Sequence, residues 1–204
     1  MHGITHQRAR DRLRCMDSGP PALAYWVAAI RETFEETGVL LSRRVPGDCI
    51  LPSEQSEDGV RGEAEALARS KLLAGEIDFA EVLETLDVTL DAGALEYNGH
   101  WLTPECEPRR YETRFFAAEV GADAEVTPHR REMVDALWLT PSKALAGNQS
   151  GTLPLVFPTL FTLEELEPFT TPREALAFLR GRPVPRRLPI LERVEGGVRF
   201  NVSD

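Results

Sequence analysis

The chain has 204 residues, of which 42% are hydrophobic and 27% charged, with a formal net charge of −10. Those values suit a globular protein of one large domain, or of a small domain with a helical extension. The acidic balance disfavours a nucleic acid polymer as partner, no apolar run approaches the ~18 residues of a membrane span, and the first residues lack the apolar core of a signal peptide.

Residues 1–21 show no period-two apolar pattern, and Arg8, Arg10, Arg12 and Arg14 read as a flexible, solvated basic arm. A helix is predicted from Pro21 or Ala22 to Leu41, with Leu23, Trp26, Val27, Ile30 and Phe34 as its apolar stripe. Gly38 supplies a left-handed stop near its end. Residues 42–61 read as a polar loop broken by Pro46-Gly47, Pro52 and Asp58-Gly59. Two further helices are predicted, Gly62–Leu73 ended by Gly75, and a short one capped by Asp78 and running through Leu86. Together they form a helical insertion over about residues 60–87.

The middle is strand-rich: Leu95–Leu102, Arg110–Val120 and Ala136–Leu139. Pro141 then opens a helix through Ala146, and Pro158–Leu166 and Pro172–Leu179 read as helices with Pro in or near the first turn. Leu188–Val202 reads as a hairpin about Glu195-Gly196-Gly197. The domain is thus expected over residues 22–170, with 171–204 as a C-terminal helix and tail. Cys15, Cys49 and Cys106 are odd in number and lack metal-ligand spacing, so they read as free thiols in a reducing, cytoplasmic setting.

Chemistry gathers in Arg31-Glu32-Thr33-Phe34-Glu35-Glu36-Thr37-Gly38-Val39. Its carboxylates stand at i, i+3 and i+4, converging on the helix side opposite the apolar stripe. Like charges so spaced weaken a helix by a few tenths of a kcal/mol per pair, a sign that a bound divalent cation would reverse. Mg²⁺ takes hard carboxylate oxygens and shares its shell with water and substrate phosphates. A solvated acidic face is the common alternative.

That run resembles the second half of the box that marks the Nudix hydrolases: Arg-Glu, two spaced residues, Glu-Glu, one spaced residue, Gly and an aliphatic. The first half departs from the family pattern, since Asp17 and Leu23 stand where it has Gly and Glu. Gly99-His100-Trp101-Leu102-Thr103-Pro104, followed by Arg109-Arg110-Tyr111-Glu112-Thr113-Arg114-Phe115-Phe116, is similar to the coenzyme A diphosphatase-like branch, which includes a peroxisomal mammalian member. Glu132, Asp135, Trp138, Pro141, Leu153-Pro154 and Pro158-Thr159 continue the same order.

The resemblance implies an α/β/α sandwich with a mixed sheet, a helical insertion after the box helix, a helical C-terminal extension, and N-terminal strands missing from this chain. It implies metal-dependent hydrolysis of a diphosphate bond in a nucleoside diphosphate derivative, with coenzyme A or an acyl-coenzyme A as the substrate. Glu32, Glu35 and Glu36 would hold Mg²⁺ or Mn²⁺, Arg31 would fix the carboxylate geometry, and Glu35 or the loop residue Glu132 would take the water proton. Arg109, Arg110 and Arg114 are candidates to meet the diphosphate, since guanidinium forks match phosphate oxygens. Trp101 and Trp138 could stack on a base, although an indole at a strand end more often packs internally. His100 and His129 lack paired ligand spacing, so no metal assignment falls on them. The rival expectation is a truncated, inactive nucleotide-binding or interaction module. A sheet edge left uncovered would invite pairing with another chain, which puts a homodimer among the expectations.

Overall fold

The computed structural model describes residues 1–13, 20–44, 57–122, 124–194 and 197–203. It is a mixed α/β protein whose chain divides into two compact units: Met1–Asp11, Cys15–Leu95 and Val120–Ala136 in the first, and Arg12–Arg14, Glu96–Glu119 and Leu137–Asp204 in the second.

The start of the chain departs from the expected solvated arm. His6–Leu13 form helix α1, because Ala9 and Leu13, one turn apart on one face, are both buried while Arg8 and Arg10 face solvent. Ahead of it the His2 amide donates to Leu90 O at 2.8 Å. Gly3 takes a φ of 88° against Gly93, where a Cβ would lie 2.4 Å from the Gly93 Cα, so only glycine fits. Residues 14–19 lie outside the described residues.

In the first unit, α2 spans Ala22–Thr37 and buries Ala22, Trp26, Ile30 and Phe34 at strict i, i+4 spacing. It stops at Gly38, whose φ of 83° needs no Cβ. Helix α3 (Glu57–Leu73) and helix α4 (Phe79–Thr85) form the insertion, and the Asp78–Glu81 capping box starts α4. Phe34, Ala68 and Val82 are its buried centre, with Leu40, Leu72, Ile77, Phe79 and Leu86 packed around them. Burying a ring such as Phe34 stabilises by ~1.5–3 kcal/mol. The loop expected over 42–61 begins instead with strand β1 (Ser42–Arg44), antiparallel to β2 (Val88–Leu90). The apolar side of this ribbon, Val88 and Leu90, is carried by β2 alone, so β1 has no alternation to betray it. Residues 45–56 lie outside the described residues.

The second unit is built on a sheet of order β4-β3-β5-β6, with β3 at Leu95–Leu102, β4 at Glu112–Ala118, β5 at Arg186–Val194 and β6 at Gly197–Ser203. β5 and β6 are an antiparallel hairpin, from Leu188↔Ser203 to Val194↔Gly197. β5 also lies parallel to β3, pairing His100 with Arg186 and Trp101 with Arg187, so the expected C-terminal tail is part of the sheet. The residues of the hairpin's turn, 195–196, lie outside the described residues. Buried β3 carries polar residues that need partners. Glu96 receives Arg180 Nε at 2.7 Å and Arg12 Nη2 at 3.3 Å. Helices α5 (Pro141–Gln149), α6 (Phe157–Leu166) and α7 (Pro172–Leu179) each begin with Pro in the first turn. The strand expected at 136–139 is absent among the described residues. Leu137, Trp138 and Leu139 are exposed without a ladder, since apolar content makes a strand only where a neighbour can pair. No described helix is long and apolar enough to cross a membrane.

Candidate active site

The glutamates of the acidic run sit on the last two turns of α2, so what holds that helix end holds them. A helix leaves its final four carbonyls without partners of its own. Here each is met. Phe34 O accepts from the Gly38 amide at 2.9 Å, Glu36 O from the His129 amide at 2.8 Å and Thr37 O from the Thr127 amide at 2.8 Å. Glu35 O accepts from Arg69 of α3, through Nε at 3.1 Å and Nη2 at 2.8 Å. The segment that caps the helix with Thr127 and His129 then turns through His129 O, which accepts from the Glu132 amide at 2.9 Å. This is how Glu132, far along the chain, comes to the carboxylates of α2.

Arg31 donates through Nη1 to Glu35 at 2.7 Å and through Nη2 to Glu32. Burial opposes its charge, but the hydrogen bond and attraction from Glu35, then those of Glu32, raise its pKa above the ordinary value. Glu36 is left without that cation. Burial first, then the charges of Glu32, Glu132 and Glu35, push its pKa up from 4.5. Four carboxylates therefore share one electrostatic neighbourhood.

As a donor set for a divalent cation, these groups have the right chemistry: hard oxygens, several negative charges and a half-buried member, Glu36, with no counter-charge among the described residues. They are not gathered as ligands. Among the described residues no three His, Cys, Asp or Glu side chains are arranged to hold a metal ion. The physical reason is Arg31, which draws Glu32 and Glu35 to itself. A cation would compete with that guanidinium for both.

The candidate substrate residues lie in the second unit. Arg109 and Arg110 are exposed in the loop before β4, where Arg110 Nε reaches Thr103 O at 3.4 Å. Arg114, whose side chain is largely buried, donates to Glu112 at 3.2 Å. Glu112 also accepts from His100 Nε2 at 2.7 Å and lies 3.9 Å from Arg186 Nε. Trp101 is not placed to stack on a base: it is 2% exposed, with Phe157 and Phe161 edge-on at 5.7 and 5.3 Å and Arg187 over its ring at 5.4 Å. Its burial follows from the all-buried course of β3. Trp138 is 70% exposed.

Sequence reasoning missed Arg69, Arg186 and Arg187. The signal for Arg69 was a cation set one turn before Leu72 and Leu73 on a face that otherwise buries.

The family model described as the NUDT19 Nudix domain matches residues 4–166. The acyl-coenzyme A diphosphatase NUDT19 of Homo sapiens is 31% identical over 180 residues, covering 84% of this chain and 47% of its own length. That of Xenopus laevis is 28% identical over 191 residues, covering 88% of this chain and 49% of its own. The chain spans about half the length of these curated relatives. The crystal structure of a NUDIX hydrolase from Alicyclobacillus acidocaldarius superposes with a TM-score of 0.57 at 29% identity, over 80% of this chain and 68% of that one.

Proposed function

The chain belongs to the Nudix family, in its NUDT19 Nudix domain group, and from that premise we propose that it hydrolyses the diphosphate bond of a nucleoside diphosphate derivative, coenzyme A or an acyl-coenzyme A. The observation that carries the proposal is the half-buried Glu36 carboxyl in the combined field of Glu32, Glu132 and Glu35. An arriving cation would relieve that repulsion, and to be held it would have to draw Glu32 and Glu35 away from Arg31. Nudix hydrolases generally use divalent metal ions, and Mg²⁺ or Mn²⁺ suits these oxygens. The exposed free thiol of Cys106 supports a cytoplasmic setting.

Glu32, Glu35 and Glu36 would hold the cation. The chemistry supplied with it in place is polarisation of phosphoryl oxygens and a lowered pKa for bound water. Arg31 orients Glu35 and Glu32 through its two nitrogens. Glu35 or Glu132 takes the proton of the attacking water on a carboxylate oxygen. Arg109 and Arg110, both exposed, would meet the phosphates as guanidinium forks, and Arg114 would have to leave Glu112 to join them.

The second reading is a nucleotide-binding module without turnover. Its support is that Arg31 already pairs with two of the three α2 glutamates. Phosphorus NMR of coenzyme A with protein and Mg²⁺ separates the two. Conversion to phosphomonoesters is expected; binding without conversion would establish the module. Mn²⁺ should also raise the melting temperature, and Glu35→Gln/Glu36→Gln should abolish that rise. An equal rise in the double variant would end the metal assignment.

A further inference from the structure

Arg69 is a cation sent into a buried place. The residue is 8% exposed, and its bonds among the described residues go to the single carbonyl of Glu35, through two nitrogens at 3.1 and 2.8 Å. Burying a guanidinium is costly unless its surroundings compensate. The compensation here is the negative end of α2, where aligned carbonyls favour a positive charge. The other three terminal carbonyls of α2 are met by backbone amides, whereas Glu35 O takes side-chain hydrogen bonds from the insertion. Two neighbours keep the approach open. Ala68, adjacent on α3, is small enough to lie in the core against Phe34. At Gly38 a Cβ would stand 3.3 Å from Arg69 Nη1, so the glycine that ends the acidic run also leaves room for the guanidinium.

We infer that Arg69 is a positioning residue for the carboxylates: by clamping the Glu35 carbonyl it holds the last turn of α2 in the rotation that presents Glu35 and Glu36 together. The helical insertion is then part of the site's scaffold. A two-pronged bond to one carbonyl restrains both the position and the direction of that peptide, which a single amide bond does not. Glu35 and Glu36 flank that peptide, so a frayed last turn would scatter their carboxylates. The inference rests on the proposed metal-dependent reading, and its test separates the two.

The test uses Mn²⁺ alone, with free ion read by electron paramagnetic resonance at a temperature where every variant is folded. Arg69→Met, which keeps the stem and loses the donors, should weaken Mn²⁺ binding by about 10–100-fold, the usual effect of losing a group that orients ligands. Arg69→Lys, with one nitrogen in place of the fork, should recover part of the loss. Leu72→Ala, which loosens the same core without touching the carbonyl, should bind Mn²⁺ like the wild type. Wild-type affinity in Arg69→Met, or an equal loss in Leu72→Ala, would overturn the assignment and leave a helix cap. Hydrogen exchange in the metal-free protein reads the clamp by itself. Faster exchange of the amides of residues 35–38 in Arg69→Met supports it, even should the wild type fail to bind Mn²⁺ and so refute the metal-dependent reading. Unchanged exchange there would refute the clamp.

Discussion

Arg31 and Gly38 show how much of the candidate site is decided by single side chains, or by the lack of one. Arg31 holds Glu32 and Glu35 at once, yet over a third of its side chain is open to water, so the pair adds little to stability. On the proposed reading its contribution is to the reaction instead. We expect Arg31→Gln to melt close to the wild type while kcat/KM on coenzyme A falls by about 100-fold, the scale of a misplaced catalytic group; a variant that keeps its activity would remove Arg31 from the mechanism. Gly38 acts through its φ of 83°. In Gly38→Ala the left-handed conformation costs ~1–2 kcal/mol, and the new methyl forces Arg69 to shift by a few tenths of an ångström. Urea denaturation should register the loss, and a midpoint equal to wild type would show that α2 ends another way.

At the scale of elements, α2 and α3 meet through Phe34 and Ala68, both buried. Ala68→Leu should cost ~1–3 kcal/mol by overpacking, and Phe34→Ala ~3–5 kcal/mol by leaving a cavity. Thermal melts would read both, and a neutral Ala68→Leu would mean that α3 is free to move off. These helices were legible because their signals are local. The i, i+4 stripe of α2, the Asp78 cap of α4 and the Pro-led starts of α5 to α7 are each written within a few residues. β3 and β4 were legible from β-forming residues, and the β5–β6 hairpin from the Gly196-Gly197 pair in the sequence. What was not legible depends on a distant partner. β1 exists because β2 pairs with it some forty residues later, and Ala136–Leu139 has strand composition but no such neighbour. α1 resembles a solvated arm because its buried face is only Ala9 and Leu13. The site follows the same division. Three glutamates on one helix could be read from spacing, whereas Arg69 joins them across 34 residues and Glu132 through a cap made by backbone amides.

Across the whole molecule the charge of −10 makes pH a strong lever. In the second unit, burial lowers the His100 pKa from 6.5 against the opposing pull of Glu112. Burial alone would raise Glu112, but His100, Arg114 and Arg186 outweigh it and lower its pKa from 4.5. Both groups bind protons more weakly folded than unfolded, so both contributions are complete above the unfolded values and are lost on acidification. His100 sets the onset, below pH 6.5, and Glu112 follows below pH 4.5. Glu36 has the opposite sign, since its raised pKa favours the folded state in acid. We expect the melting temperature to fall as pH drops below 6.5, with His100 the first of the two to take up a proton, and to fall less in His100→Gln; equal slopes would rule the histidine out. The placement of the indoles has a practical use. Trp26 and Trp101 are 1% and 2% exposed, whereas Trp138 is 70% exposed. Acrylamide should therefore quench one class of emitter in the native protein and leave a protected class behind. The accessible class is Trp138, a built-in fluorescent reporter of its own segment that needs no added dye.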